Sequence, residues 1–215
     1  MKPPLSIVHE DARLIVVDKP DGLLSVAGKG PTGAHNVEAF LARDRPFVRM
    51  AHRLDQATSG LLVAAKDLDA YRFLQRAFQE REVKKGYLGV LSRSWSGPSS
   101  GRIELRTRLD PEDRPRQVVD PVLGKLGVTE WRYEGEGPLG PSFRFEALTG
   151  RTHQIRLHAA APEGLGVALR GDRLYGEGGE RLLLHASRLR FPHPDGGHLG
   201  LSSDPPFSNL IVPPA

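Results

Sequence analysis

Short apolar runs separated by turn residues dominate the chain. The run "LIVV" at residues 14–17, followed by "KPDGLL", predicts a strand that ends in a glycine-containing turn, and "GLLVAAK" at residues 60–66 predicts a buried strand. The stretches "VTEWRYEG" and "SFRFEALT", at residues 128–135 and 142–149, alternate large and polar side chains with a period of two. This alternation is typical of antiparallel strands that have one solvated face.

Helical periodicity is confined to a few segments. In residues 67–82, Tyr71, Leu74 and Phe78 recur at helical spacing, and Asp67 stands where an N-cap is expected. Residues 33–44 also have helical spacing, and residues 149–164 predict a Gly turn followed by a helix that begins at Thr152.

Strands therefore outnumber helices, and the two do not alternate regularly. Two further strands, joined by a charged loop that contains proline, are predicted within residues 101–120, and others within 84–91 and 182–191. The pattern predicts an α+β fold around a mixed, mostly antiparallel central sheet flanked by helices and loops. No long linker divides the 215 residues, so we expect a single catalytic domain over residues 1–215.

Composition narrows the possible chemistry. The chain has no cysteine, which excludes disulfides and thiolate chemistry and fits a reducing compartment, so the cytoplasm is expected. No apolar run approaches the roughly 20 residues of a membrane span, and the N-terminal 20 residues lack the apolar stretch of a signal peptide. The net charge of +4 comes mostly from arginine, whose planar guanidinium suits phosphate contact and base stacking.

Three clusters carry candidate chemistry, and two of them lie in the first half of the chain. In "HRLDQATSG", at residues 52–60, Arg53 and Asp55 lie two positions apart and would share one face of an extended segment, as a catalytic pair or as a simple surface ion pair. In "KKGYLGV", at residues 84–90, lysines precede Tyr87, an arrangement that suits phosphate contact with base stacking and equally a solvated strand end with a core tyrosine.

A third cluster, "TGRTHQIRLHAA" at residues 149–160, places Arg156 on a partly apolar helix face. A buried arginine there needs a carboxylate or phosphate partner. His153 and His158 lack the spacing of a helical zinc pair, and no HExxH is present, so no metal is expected. There is no phosphate-binding loop, and neither the GxGxxG of a dinucleotide site nor the GxSxG of a nucleophile elbow stands where a strand leads into a helix, so no cofactor is expected.

Five segments together resemble, in content and order, the motifs of the RluA-type pseudouridine synthases. They are "HRLDQATSGLLVAAK", "KKGYLGV", "LTGRTHQIRLH", "GDRLYG" and "LLLHASRLRF". The segment "RLDPEDRPRQVV" resembles a charged loop of the family member that modifies both large-subunit ribosomal RNA and tRNA. The chain begins almost directly with catalytic-domain sequence, so no N-terminal S4 domain is expected. One departure is Arg170, which stands where relatives have an apolar residue.

The resemblance implies a role for each catalytic residue. Asp55 would be the essential carboxylate in cleavage of the N-glycosidic bond and reattachment through carbon 5, and attack at the ribose and attack at the uracil ring both stay open. Arg156 would pair with Asp55 and keep it ionised. Tyr87 would stack on the uracil. Arg53 would fill the space that the flipped uridine vacates or hold the flipped nucleotide.

The expected partner is structured RNA, either large-subunit ribosomal RNA, a tRNA anticodon stem-loop, or both. No protein partner and no membrane are implied, and a monomer is expected. The candidate RNA-binding residues are His52, Arg53, Thr58, Ser59, Lys84, Lys85, Arg114, Arg116, Arg151, Thr152, His153 and Gln154.

Two other functions are compatible with parts of this pattern. An RNA-binding module or RNA chaperone could keep the fold without the reaction, although the presence of Asp55, Tyr87 and Arg156 argues against it. A glycoside or nucleoside hydrolase would also use a carboxylate at a sugar carbon, but such enzymes usually need a second catalytic carboxylate, and no comparable motif supplies one.

Overall fold

A computed structural model describes residues 5–28 and 31–210. The chain divides into two compact units, the first comprising residues 1–84 and 186–203 and the second residues 85–185 and 204–215. The expectation of one catalytic domain over the whole chain stays a prediction.

Unit 1 contains a largely antiparallel set of strands, one 3-10 turn and two α-helices among its described residues. Its elements are β1 (Ser6–Glu10), β2 (Leu14–Lys19), a 3-10 turn (Pro31–Ala34), α1 (Val37–Leu41), β3 (Arg49–Met50), β4 (Ser59–Ala65), α2 (Leu68–Gln79), the first residue of β5 (Lys84–Val90), all but the first two residues of β10 (Leu184–Pro192), and β11 (His198–Ser202). The strand order is β1-β2-β4-β10, with β3 paired to β4 and β11 paired to β10.

The core of unit 1 forms around β4, in which every residue is buried. This strand lies between β2 and β10, which explains why "GLLVAA" is apolar without alternation. Helix α2 begins where the sequence predicts, because the Asp67 side chain accepts a hydrogen bond of 2.8 Å from the Ala70 backbone N–H. Its buried face, including Leu74, packs into the cluster that contains Val63 of β4.

Gly60 allows a close backbone approach at the start of β4. Its φ is +115°, and a Cβ at this position would lie 2.4 Å from the Ala186 carbonyl oxygen. Both features require glycine. The loop that carries Asp55 therefore enters β4 at a position that no larger residue can occupy.

Unit 2 contains a second antiparallel set of strands. Its elements are β5 from Lys85 onward, β6 (Ser100–Leu109), β7 (Gln117–Val119), β8 (Lys125–Gly137), β9 (Gly140–Ala147), α3 (Gln154–Ala160), the first two residues of β10, and a 3-10 turn (Ser208–Leu210). The strand order is β5-β9-β8-β6-β7, and each neighbouring pair is antiparallel.

An aromatic cluster forms part of the core of unit 2. The ring of Phe143 lies 5.6 Å from Trp131 and 5.9 Å from Phe145, and Trp95 meets Phe143 edge-on at 5.4 Å. Phe143 and Phe145 are two residues apart in β9, so their side chains share one face of the strand.

The structure confirms the α+β fold and most of the predicted elements, with small differences at their ends. The helix predicted from Thr152 begins instead at Gln154, because His153 has a left-handed backbone with φ of 53°. Thr152 therefore lies outside the helix and does not share a face with Arg156. The first strand predicted within residues 101–120 begins one residue earlier, at Ser100.

No helix in the part of the chain that the structure describes is long and apolar enough to cross a membrane.

The effect of the close contact at Gly60 on stability can be measured by comparing two glycine-to-alanine substitutions. Gly196 also has a positive φ, +101°, but no atom lies within 4 Å of its hypothetical Cβ. We expect Gly196→Ala to cost about 1 kcal/mol through backbone strain alone and Gly60→Ala to cost at least about 3 kcal/mol, measured by urea unfolding. Equal losses for the two variants would show that β10 does not constrain this position.

Candidate active site

Asp55 lies in a loop of unit 1 whose backbone is held on both sides. The Ser25 hydroxyl donates a hydrogen bond of 2.8 Å to the Leu54 carbonyl and accepts one of 3.0 Å from the Leu54 N–H. After Asp55, the Thr58 N–H donates to the Asp55 carbonyl at 3.1 Å and closes a turn. Leu54 is buried and Asp55 is half-buried, so the loop presents the carboxylate from a fixed backbone.

A buried lysine secures the same loop. The Lys19 side chain is fully buried, and its ammonium donates to the carbonyl oxygens of Pro20 at 3.0 Å, Leu23 at 2.8 Å and Gln56 at 3.2 Å. A buried ammonium is tolerated only when its donors are satisfied, so these contacts join the end of β2 to the residue after Asp55. Lys19 is not among the predicted site residues, although a lysine at the end of the apolar strand "LIVVDK" is a usable signal.

The other predicted residues of this loop differ in exposure. Arg53 is exposed, whereas Thr58 and Ser59 are buried. The His52 Nε2 accepts a hydrogen bond of 3.2 Å from the Val63 N–H, and its ring lies 4.9 Å from the Phe78 ring. Arg53 is therefore accessible to solvent, and the RNA contacts predicted for all four residues stay predictions.

In β5 the two predicted lysines have different surroundings. Lys84, which belongs to unit 1, is exposed. Lys85, in unit 2, is half-buried, and its ammonium donates to the Thr149 carbonyl at 3.1 Å. Burial lowers the pKa of Lys85 from 10.5 to about 8. Tyr87, further along the strand, is half-buried and lies opposite Phe145 of β9.

The turn before α3 is held by Gln154. Its Oε1 accepts from the Thr149 hydroxyl at 2.6 Å and from the Arg151 N–H at 3.0 Å, and its Nε2 donates to Val128 and Thr129 oxygens, both at 2.9 Å. These four bonds use both polar atoms of the amide, so a structural role alone accounts for Gln154. Its predicted RNA contact stays a prediction.

Arg156 is buried and makes a two-point ion pair with Asp172 inside unit 2. Its Nε and one terminal nitrogen each lie 2.7 Å from an Asp172 oxygen. Burial opposes ionisation of Asp172, but the hydrogen bonds and charge of Arg156 hold the pKa of that carboxyl below its usual value. Asp172 also accepts from the backbone N–H groups of Leu174 and Tyr175.

Arg156 therefore has the carboxylate partner expected of a buried arginine, and that partner is Asp172 in the segment "GDRLYG", which is not among the predicted site residues. Asp55 belongs to unit 1, whereas Tyr87 and Arg156 belong to unit 2. The pairing of Arg156 with Asp55 stays a prediction.

Three other basic residues predicted to bind RNA, and Arg170, lie on loops of unit 2, as does Thr152. Arg114 is exposed between β6 and β7, and Arg116 donates to the Asp113 carboxylate at 3.2 Å. Arg151 and Thr152 are exposed after β9. The Arg170 side chain is exposed too, so its departure from the apolar residue of relatives places a charge outside the core.

Arg151 and Thr152 also line a groove of about 340 Å³ within unit 2. Three of its residues are basic, and none is acidic; the full lining is Thr107, Arg108, Leu109, Gln117, Leu123, Lys125, Gly150, Arg151 and Thr152. Such a groove has the charge that a phosphate backbone requires.

Among residues 5–28 and 31–210, no group of three or more histidine or acidic side chains is placed to hold a metal ion.

The chain matches the family model described as RNA pseudouridylate synthase over residues 13–161. It is 38% identical over 205 residues to the "Dual-specificity RNA pseudouridine synthase RluA" of Haemophilus influenzae, and the match covers 92% of this chain and 91% of the relative. The protein of that name from Escherichia coli K12 is similar to the same extent.

Solved structures give the same picture. "Human RNA Pseudouridylate Synthase Domain Containing 1" is 30% identical, with a TM-score of 0.79 over 96% of this chain and 87% of that one. "Human RNA Pseudouridylate Synthase Domain Containing 4", at 22% identity, shares the fold, with a TM-score of 0.71 over 95% of this chain and 90% of that one.

The lowered pKa of Lys85 predicts a change of stability with pH. The folded-state value of about 8 lies below the ordinary 10.5, so between these values the unfolded chain binds more protons and stability rises with pH. Relative to Lys85→Met, the wild-type protein should gain on the order of 1–2 kcal/mol from pH 7.5 to pH 10 in urea unfolding, a range that allows for partial solvent screening.

Lys84→Met is the matched control, because it removes the exposed neighbouring lysine. It should keep the wild-type pH dependence. If the free energies of unfolding of the wild-type protein and Lys85→Met changed equally with pH, the lowered pKa of Lys85 would be contradicted.

Proposed function

Because the chain belongs to the RNA pseudouridylate synthase family and is an RluA-type enzyme, we propose that it isomerises uridines in large-subunit ribosomal RNA and in tRNA anticodon stem-loops. The "dual-specificity" wording of the similar bacterial proteins and the loop "RPRQVV" at residues 114–119 support this choice of substrates.

In the proposed reaction Asp55 is the essential carboxylate. The bond between ribose C1′ and uracil N1 breaks, a bond from C1′ to C5 forms, the C5 proton leaves, and N1 regains a proton. The observation that carries this role is the fixed loop of unit 1, in which Ser25, Thr58 and Lys19 hold the backbone around a half-buried carboxylate. A fixed backbone favours catalysis because the reacting group need not be ordered again in each turnover.

Tyr87 and Arg156 serve the same reaction in this proposal. Tyr87 stacks on the uracil and assists loss of the C5 proton. Arg156 is a permanent cation on a helix, held in one orientation by Asp172, and it stabilises negative charge in the reaction. No step requires oxidation, reduction or an energy-carrying group, because the substrate and the product are isomers.

RNA is bound through exposed basic side chains. Arg53 holds the nucleotide that leaves its stack, and flipping of this kind costs a few kcal/mol, which backbone contacts elsewhere must offset. Lys84, Arg114 and Arg151 are exposed and contact phosphates. We also propose that the protein acts in the cytoplasm and that it is a monomer. A mass of 23.6 kDa in light scattering would support the monomer.

The catalytic role of Asp55 is tested by release of tritium from RNA labelled at C5 of uridine. We expect Asp55→Asn to lower the rate at least about 10³-fold while RNA binding and the unfolding midpoint change little, because the substitution removes only the charge. Separate ribosomal and tRNA transcripts report the substrate class.

Asp69→Asn is the matched control, since Asp69 is an exposed carboxylate on α2 with 81% of its side chain accessible. It should release tritium at the wild-type rate. Loss of RNA binding in Asp55→Asn equal to its loss of rate would contradict a catalytic role. Release by neither the wild-type protein nor the variants, with RNA binding intact, would favour an RNA-binding module.

The phosphate contacts are tested by the salt dependence of RNA binding. We expect Arg151→Ala to weaken binding of every RNA tested and to reduce the slope of log K against log salt by about 0.7–1, because one phosphate contact is lost. Arg72→Ala, which removes an exposed arginine of α2, should leave the slope unchanged. An unchanged slope for Arg151→Ala would exclude Arg151 from the RNA contacts.

A further inference from the structure

We propose that Tyr175 is a positioning residue that holds the loop at residues 110–116 and the Arg156 guanidinium in a fixed arrangement within unit 2. This inference rests on the proposed function, because it assigns Tyr175 a part in the turnover of RNA. Nothing in the sequence motifs singles out this tyrosine beyond its presence in "GDRLYG".

The hydroxyl group of Tyr175 makes the first connection. It accepts a hydrogen bond of 2.7 Å from the backbone N–H of Gln117, the residue that begins β7 directly after the loop. It also lies 2.9 Å from Nδ1 of His153, the residue before α3. One hydroxyl can accept from Gln117 and donate to Nδ1 at the same time, so it fastens the end of the loop to the start of the helix that carries Arg156.

The aromatic ring makes the second connection. The guanidinium carbon of Arg156 lies 5.3 Å from the ring centroid, and that of Arg116 lies 5.5 Å from it. Both distances are within the range of cation–π attraction. The ring therefore contacts the proposed catalytic arginine and, at the same time, an arginine of the proposed RNA-binding loop.

The backbone of Tyr175 makes the third connection. Its N–H donates to the Asp172 carboxylate at 3.1 Å, and Asp172 in turn holds Arg156 through its two-point ion pair. Arg156 is thus constrained by a carboxylate on one residue of the turn and by a ring three positions later. A guanidinium held from two directions keeps one orientation, which is the condition for acting on charge that develops during a reaction.

The hydroxyl and the ring of Tyr175 make different contacts, so substitutions that remove one or both should have different effects on turnover. Loss of the hydroxyl removes the link between the end of the 110–116 loop and His153, while the loop stays closed by the pairing of Leu109 with Gln117 and Arg156 stays on the ring. RNA affinity should therefore suffer more than the chemical step. Loss of the ring removes a contact to Arg156 as well, so the chemical step should then slow.

The test measures kcat and KM for tritium release with Tyr175→Phe and Tyr175→Leu. We expect Tyr175→Phe to raise KM about fivefold and to keep kcat within about twofold, because one hydrogen-bonding group is lost. We expect Tyr175→Leu to lower kcat at least about tenfold below Tyr175→Phe. Tyr133→Phe is the matched control, since Tyr133 is also a half-buried tyrosine of unit 2, and it should keep both wild-type constants.

A second measurement separates positioning from simple stability. Arg116→Ala and Tyr175→Leu remove the same contact between Arg116 and the ring, so their combined effect on KM should be smaller than the product of the two single effects. Multiplicative effects, or a kcat for Tyr175→Leu equal to that of Tyr175→Phe in folded protein, would overturn the proposal. If the wild-type protein releases no tritium from any RNA, the proposed function itself fails, an outcome that these variants cannot produce.

Discussion

The buried ion pair between Arg156 and Asp172 is the interaction on which unit 2 depends most. Both side chains are almost fully inaccessible, and removal of one partner would leave the other charge buried, a change that typically costs about 3–5 kcal/mol. The pair also organises its surroundings, because Asp172 accepts from the backbone of the following turn and thereby places Tyr175. In unit 1, Lys19 performs a comparable task with three carbonyl oxygens around the loop of Asp55.

Both devices use a buried cation to fix irregular backbone. Loops cannot satisfy their polar groups through sheet or helix hydrogen bonds, so a cation with several donors can hold carbonyls or carboxylates that would otherwise be mobile. An RluA-type pseudouridine synthase benefits from such rigidity, because the reaction breaks and remakes a bond to the same base within one site. Among the described residues, the exposed Arg53 and Arg114 hold no backbone carbonyl in this way and are suited to a flexible RNA backbone.

Much of the fold could be predicted from the sequence because periodicity and capping act locally. The N-cap at Asp67, the buried run of β4 and the alternation in β8 and β9 are all decided by neighbours along the chain. The start of α3 was predicted two residues early, since the left-handed conformation of His153 has no strong signal in a histidine. The partners of the buried charges were missed for a different reason. Arg156 and Asp172 are 16 positions apart and Lys19 and Gln56 are 37 apart, so only the folded chain brings them together.

The most direct measurement of what the protein does is a nucleoside analysis of RNA after incubation with it, in which uridine, pseudouridine and released uracil are each quantified. An RluA-type isomerase should yield one pseudouridine for every uridine lost and no free uracil, with no added cofactor. Release of uracil with no gain of pseudouridine would contradict isomerisation and indicate hydrolysis of the glycosidic bond.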